Sequence, residues 1–157
     1  MKKNSRAKGN SFELQVAKAF SQHFGCKFRR TPLSGGWSEK AETKGDIVCV
    51  DRDDFPYCVE CKNAEGWHLE SLFTDKHEWF DAWWLQVTSE CPEGKVPLLV
   101  FTRNFCPAFA AVKYHDWMSM LQNYSDTIDT VLQMTRPDDI VILRFDMMLL
   151  DLKWNYD

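Results

Sequence analysis

The sequence predicts an α/β fold, a mixed central β-sheet flanked by helices on both faces. Three observations lead there. Helical and extended patterns follow one another as helix, strand, strand, strand, helix, strand and further short elements, an order that suits a mixed sheet covered on both sides. The run 98–101 is wholly apolar, as in a strand buried on both faces. Hydrophobic residues make up 45% of the 157, with seven Trp, so the chain is not disordered and can build a core for one domain over residues 1–157.

Each element has its own signal. Asn10 reads as a helix N-cap, followed by a helix over 11–24 in which Phe12, Val16, Ala19 and Phe20 recur at helical spacing and which Gly25 ends. Lys27-Phe28-Arg29-Arg30 reads as a short strand. Thr31 to Trp37, with Pro32, Gly35 and Gly36, reads as a loop. Gly45-Asp46-Ile47-Val48-Cys49-Val50 and Tyr57-Cys58-Val59-Glu60-Cys61-Lys62 are two strands joined by a polar turn containing Pro56. A helix rich in aromatics is expected over 69–90, with Phe73, Trp79, Phe80, Trp83 and Trp84. Strands are expected at 97–102, 109–114 and 140–145 and a helix at 115–124, while 125–138 fits either helix or loop.

Charge is unevenly spread. The net charge is −4, yet residues 1–44 hold ten Lys or Arg and three acids, a net of +7, which leaves −11 for the rest. A basic N-terminal third can dock on phosphates while the acidic body is repelled. No apolar run reaches the length of a membrane span, so no membrane partner is expected. Met1-Lys2-Lys3-Asn4-Ser5 lacks the apolar stretch of a signal peptide, so a cytoplasmic location is expected and the six Cys read as reduced thiols. Cys58 and Cys61 form a C-x-x-C, but a strand would place them on opposite faces, and no second pair completes a zinc site.

Asp46, Glu60 and Lys62 carry the chemistry. Glu60 and Lys62 lie two apart and share a strand face, and Asp46 meets them if the two strands pair. Two carboxylates and an ammonium are costly to bury together without a purpose. A hard divalent cation bound by carboxylate oxygens, with a lysine beside it, supplies that purpose and points to phosphodiester hydrolysis. Structural alternatives stand beside this. Glu13 could complete a capping box with Asn10, Asp46 could open a strand after a glycine turn, and Glu60 with Lys62 could be a solvated pair.

These residues resemble the PD-(D/E)xK nuclease superfamily, and within it the archaeal-type Holliday-junction resolvases. Lys8-Gly9-Asn10-Ser11-Phe12-Glu13 is similar to that family's opening basic-Gly-(Ser/Asn)-x-x-Glu helix, and Arg30-Thr31-Pro32-Leu33-Ser34-Gly35 to its Arg-x-Pro-x-Ser-Gly segment. Gly45-Asp46-Ile47-Val48 stands where the family has Pro-Asp-(Ile/Val)-Val, and Val59-Glu60-Cys61-Lys62 where it has a hydrophobic residue then Glu-x-Lys. Two departures are Gly45 in place of Pro and Leu14 where the resolvases tend to carry Arg.

The resemblance implies a restriction-endonuclease-like core and a Mg²⁺- or Mn²⁺-dependent DNA endonuclease acting on branched DNA. It implies catalytic roles for Glu13, Asp46, Glu60 and Lys62. Metal ligands would come from Asp46, Glu60, the Cys61 carbonyl and Glu13, directly or through water. Lys8, Arg29, Arg30 and Ser34 would contact DNA. Cutting two opposed strands implies a symmetric homodimer, for which the aromatic stretch 73–84 is the candidate interface where it is not core. A nicking, repair or restriction-type nuclease, or an inactive DNA-binding domain, would share the same fold.

Overall fold

Helix α1 spans Ser5–Phe24, starting more than a turn before the expected cap. Arg6, Ala7 and Lys8 are good helix formers, and the Asn10 carboxamide does not cap. Its Oδ1 instead accepts a hydrogen bond from the Arg30 guanidinium at 2.7 Å. The capping-box reading of Glu13 falls with it. The computed structural model describes residues 5–31, 44–74, 76–120, 132–134, 139–152 and 154. The expected loop over 31–37 lies, beyond Thr31, outside the described residues.

Seven strands form one mixed sheet in the order β1-β2-β3-β4-β5-β7-β6. They are β1 (Phe28–Arg30), β2 (Ile47–Cys49), β3 (Tyr57–Asn63), β4 (Val96–Thr102), β5 (Phe109–Lys113), β6 (Leu132–Met134) and β7 (Ile140–Arg144). Strands β2 and β3 pair antiparallel through Ile47 and Val59, as expected of their connecting turn. Strands β3 and β4 are parallel, which needs a crossover, and helix α2 (Glu78–Glu90) supplies it. Strand β6 falls within the stretch whose pattern was ambiguous.

The helix expected over 69–90 is broken. A 3₁₀ turn, Leu69–Phe73, precedes α2. Side chains between them take the bonds a continuous helix would use: Thr74 Oγ1 donates to the Ser71 carbonyl at 3.0 Å and accepts from the Lys76 N–H at 3.3 Å. Short hydroxyl side chains compete with helix in this way. Helices α3 (Tyr114–Met120) and α4 (Phe145–Asp151) complete the chain.

Strand alternation divides the core in two. Val59, Cys61, Leu98 and Val100 face α1 and α4, packing with Phe12, Val16, Phe20 and Met148. Leu99 and Phe101 face α2, packing with Trp67, Phe80, Trp84 and Val87. Residues 98–101 are fully buried in β4, between β3 and β5, as their apolar run predicted. The aromatics of α2 serve this second cluster; in the stretch 73–84 the large apolar side chain left exposed is Phe73. Among the described residues no helix is long and apolar enough to cross a membrane.

Candidate active site

Glu60 pairs with Leu99 and Lys62 with Phe101 in the β3–β4 register. Strand β3 therefore presents a carboxylate and an ammonium to the α2 side, where its neighbour β4 presents apolar groups. Continuing the β2–β3 register by one residue sets Asp46 opposite Glu60, on the same face. The three residues singled out in the sequence thus converge where β2 begins.

Gly45 makes this approach possible. Its φ is +96°, and a Cβ there would lie 2.9 Å from the Val59 carbonyl oxygen and 3.1 Å from the Val59 nitrogen. Proline, with φ held near −65°, could not adopt this turn. The departure at Gly45 is therefore a requirement of this backbone. The Asp46 N–H donates to the Val59 carbonyl at 2.7 Å. The Thr31 N–H donates to the Asp46 carbonyl at 2.8 Å and its hydroxyl to the Gly45 carbonyl at 2.6 Å.

Asp46 Oδ2 accepts the Cys61 N–H at 2.7 Å. In a strand a residue's N–H and C=O leave by the same edge, so the Cys61 carbonyl also points toward the Asp46 side of β3, away from β4. Burial, then the Glu60 charge, push the Asp46 carboxyl from 3.8 up to about 7; Glu13 adds to the rise, and the Cys61 N–H and Lys62 oppose it. A carboxyl so placed is short of positive charge.

Glu60 is buried and accepts from Lys62 Nζ at 2.7 Å. Lys62 Nζ also donates to Gln86 Oε1 at 2.6 Å. Gln86 was not among the expected site residues. Its signal was a polar side chain on the inward stripe Trp79, Trp83, Gln86 of an otherwise apolar helix face.

Glu13 comes from α1, and its Oε2 is bonded by Arg30 Nε at 2.5 Å. Arg29 and Arg30, grouped together by the sequence, face opposite sides of β1 because they are adjacent on a strand. Arg30 is opposite Ile47, on the α1 side, whereas Arg29 is opposite Val48, on the face that carries Asp46. Lys8 Nζ pairs with Glu65 at 3.1 Å. Ser34 lies outside the described residues. Cys58 and Cys61 are buried on opposite faces of β3 and free, in keeping with their spacing.

Among the described residues no group of three His, Cys, Asp or Glu side chains is arranged to hold a metal ion. The bonds above occupy Oδ2 of Asp46, Oε1 of Glu60 and Oε2 of Glu13. A carboxylate has about four lone-pair sites, so these contacts do not use up its capacity to ligate. The donors are hard oxygens, and Lys62 does not outweigh the burial and neighbouring carboxylates that act on Asp46, a set that fits a divalent cation.

Residues 4–155 match the sequence profile of the family described as "Phage putative PDDEXK endonuclease". No curated protein and no solved structure matches the chain significantly. The matched span contains Glu13, Asp46, Glu60 and Lys62 and all seven described strands, so the chain belongs to this family of the PD-(D/E)xK nuclease superfamily.

Proposed function

We propose that the protein is a divalent-metal-dependent DNA endonuclease that prefers branched DNA, in the manner of a Holliday-junction resolvase, and leaves a 5′-phosphate and a 3′-hydroxyl. The observation that carries the nuclease reading is the partly buried Asp46–Glu60–Lys62 group on adjacent strands, with Glu60 buried. Such a group contributes little to stability and is expected to be functional. The junction preference rests on the resemblance of residues 8–63 to the archaeal resolvases.

Asp46, Glu60 and the Cys61 carbonyl would hold Mg²⁺ or Mn²⁺, with Glu13 completing the set directly or through water. The bound ion would lower the pKa of a water and screen charge building on the phosphate. Lys62, steadied by Glu60 and Gln86, orients the attacking water or neutralises charge on the phosphate oxygens. Arg30 holds Glu13 in place, and Lys8, Arg29 and Ser34 supply DNA contacts. Recognition is by backbone and shape.

The test is a panel of labelled four-way junction, nicked duplex, flap and linear duplex, incubated with Mg²⁺, Mn²⁺ or EDTA. Paired symmetric cuts near the branch are expected, lost in EDTA. Lys62→Ala and Asp46→Asn should each reduce cleavage by roughly a hundredfold or more while leaving DNA binding and circular dichroism unchanged. Equal cutting of all substrates would sink the junction preference, and no cutting by the wild type would sink the enzyme.

A further inference from the structure

We propose that Phe105 is a base-stacking residue, presented on a rigid turn beside the candidate active site to receive an unpaired nucleobase of bound DNA. This rests on the nuclease reading above.

Two unfavourable features coincide at Phe105. Its side chain is fully exposed, at 108% relative accessibility, and its φ is +59°. Water disfavours the first and L-residue sterics the second, and a bulky side chain in the left-handed region is an outlier that marks function more often than chance. Phe105 occupies the third position of the turn 103–106, closed by the Cys106 N–H donating to the Arg103 carbonyl at 3.2 Å. Glycine or asparagine is the usual residue where such a turn needs positive φ.

The turn is tied down on several sides. The Thr102 hydroxyl donates to the Cys106 carbonyl at 3.0 Å. The Asn104 N–H donates to Glu65 Oε1 at 3.0 Å, and the same oxygen takes Lys8 Nζ from α1. The Arg103 guanidinium lies over the Trp67 ring, 5.4 Å from its centroid. An exposed ring on an immobilised backbone loses little entropy on stacking, which suits a recognition contact.

The location selects the partner. Thr102 pairs with Asn63, the residue after Lys62, so the turn leaves the sheet at the end where β3 carries the site. Lys8, Glu65 and Arg103 leave a net positive charge of one at its base, which favours a polyanion over an apolar protein surface. Every base offers a π-face, so a single ring can grip an unstacked base regardless of sequence.

The experiment measures binding of wild type, Phe105→Gly, Phe105→Leu and Phe105→Trp, in EDTA, to a duplex with one unpaired 2-aminopurine and to its fully paired counterpart. Phe105→Gly should melt no lower than wild type, since glycine accepts the turn. For the unpaired duplex, the Gly and Leu variants should lose roughly 5- to 100-fold in affinity, with Trp close to wild type. For the paired duplex, all four should bind alike. Wild-type binding should also change 2-aminopurine fluorescence, and Phe105→Gly should abolish that change. Unaltered affinity in the Gly variant, or a Leu variant equal to wild type, would overturn the stacking role and leave the nuclease reading intact. Failure of the wild type to bind either duplex would overturn both.

Discussion

Asp46 links the site to stability. Its folded-state pKa of about 7 lies above the ordinary 3.8, so between these values the native protein keeps a proton that the unfolded chain has released. Stability of the metal-free protein therefore falls as pH rises through this window and is level above it. Thermal melts in EDTA should show the decline, and Asp46→Asn should flatten it; an unchanged slope in the variant would assign the effect to other groups. At the proposed metal site Mg²⁺ or Mn²⁺ would compete with that proton, so the rise in melting temperature expected from either ion should grow as pH approaches 7. Gly45 is the second residue on which the site depends. Gly45→Ala combines positive φ with a contact 2.9 Å from the Val59 carbonyl and should cost roughly 1–3 kcal/mol in urea denaturation. Glu60 and Lys62 were legible as a pair because a two-residue spacing in an apolar run names a shared face, and Asp46 joins them through the pairing of the two strands. The reason for Gly45 was not legible, because the obstructing carbonyl belongs to another strand.

Among the elements, α2 does two jobs. Phe80, Trp84 and Val87 close the core over β4, and Gln86 reaches Lys62. Gln86→Leu keeps the size but removes the acceptor that steadies the ammonium. It should lower kcat about tenfold, on the order of 1.4 kcal/mol, with little change in KM. A Gln86→Glu variant that restores the rate would support positioning through the acceptor, and an effect confined to KM would argue for a DNA contact instead. The sequence signalled α2 by its aromatic stripe but ran it together with the 3₁₀ turn, since Ser71 and Thr74 act through side-chain bonds that hydropathy does not register. It also delayed the start of α1, because Asn10 has the chemistry of a cap and only its contact with Arg30 shows how it is used.

At the scale of the whole molecule, the proposed junction preference requires two copies, since one site cuts one strand. A dimer is expected in sedimentation at micromolar concentration. Among the described residues of the 3₁₀ turn and α2, Phe73 and Leu85 are the large apolar side chains left exposed, at 63% and 68%. Phe73→Ser with Leu85→Ser should shift the protein to monomer without lowering its secondary structure; a wild-type monomer would count against the resolvase reading. The sequence by itself determined the fold class, the two strands that carry Asp46, Glu60 and Lys62, the same-face pairing of Glu60 with Lys62 and the apolar central strand. Those properties follow from local spacing, which the backbone turns into faces with a period of two or 3.6. Only the tertiary structure decided which face of the sheet each of Arg29 and Arg30 takes, Arg30 toward α1 and Arg29 toward the face of Asp46. It also decided that Glu13 is held by Arg30, that Gln86 completes the Lys62 contact, and that Phe105 stands exposed on an anchored turn. Each of these depends on elements distant in sequence being brought together, and no local pattern encodes that distance.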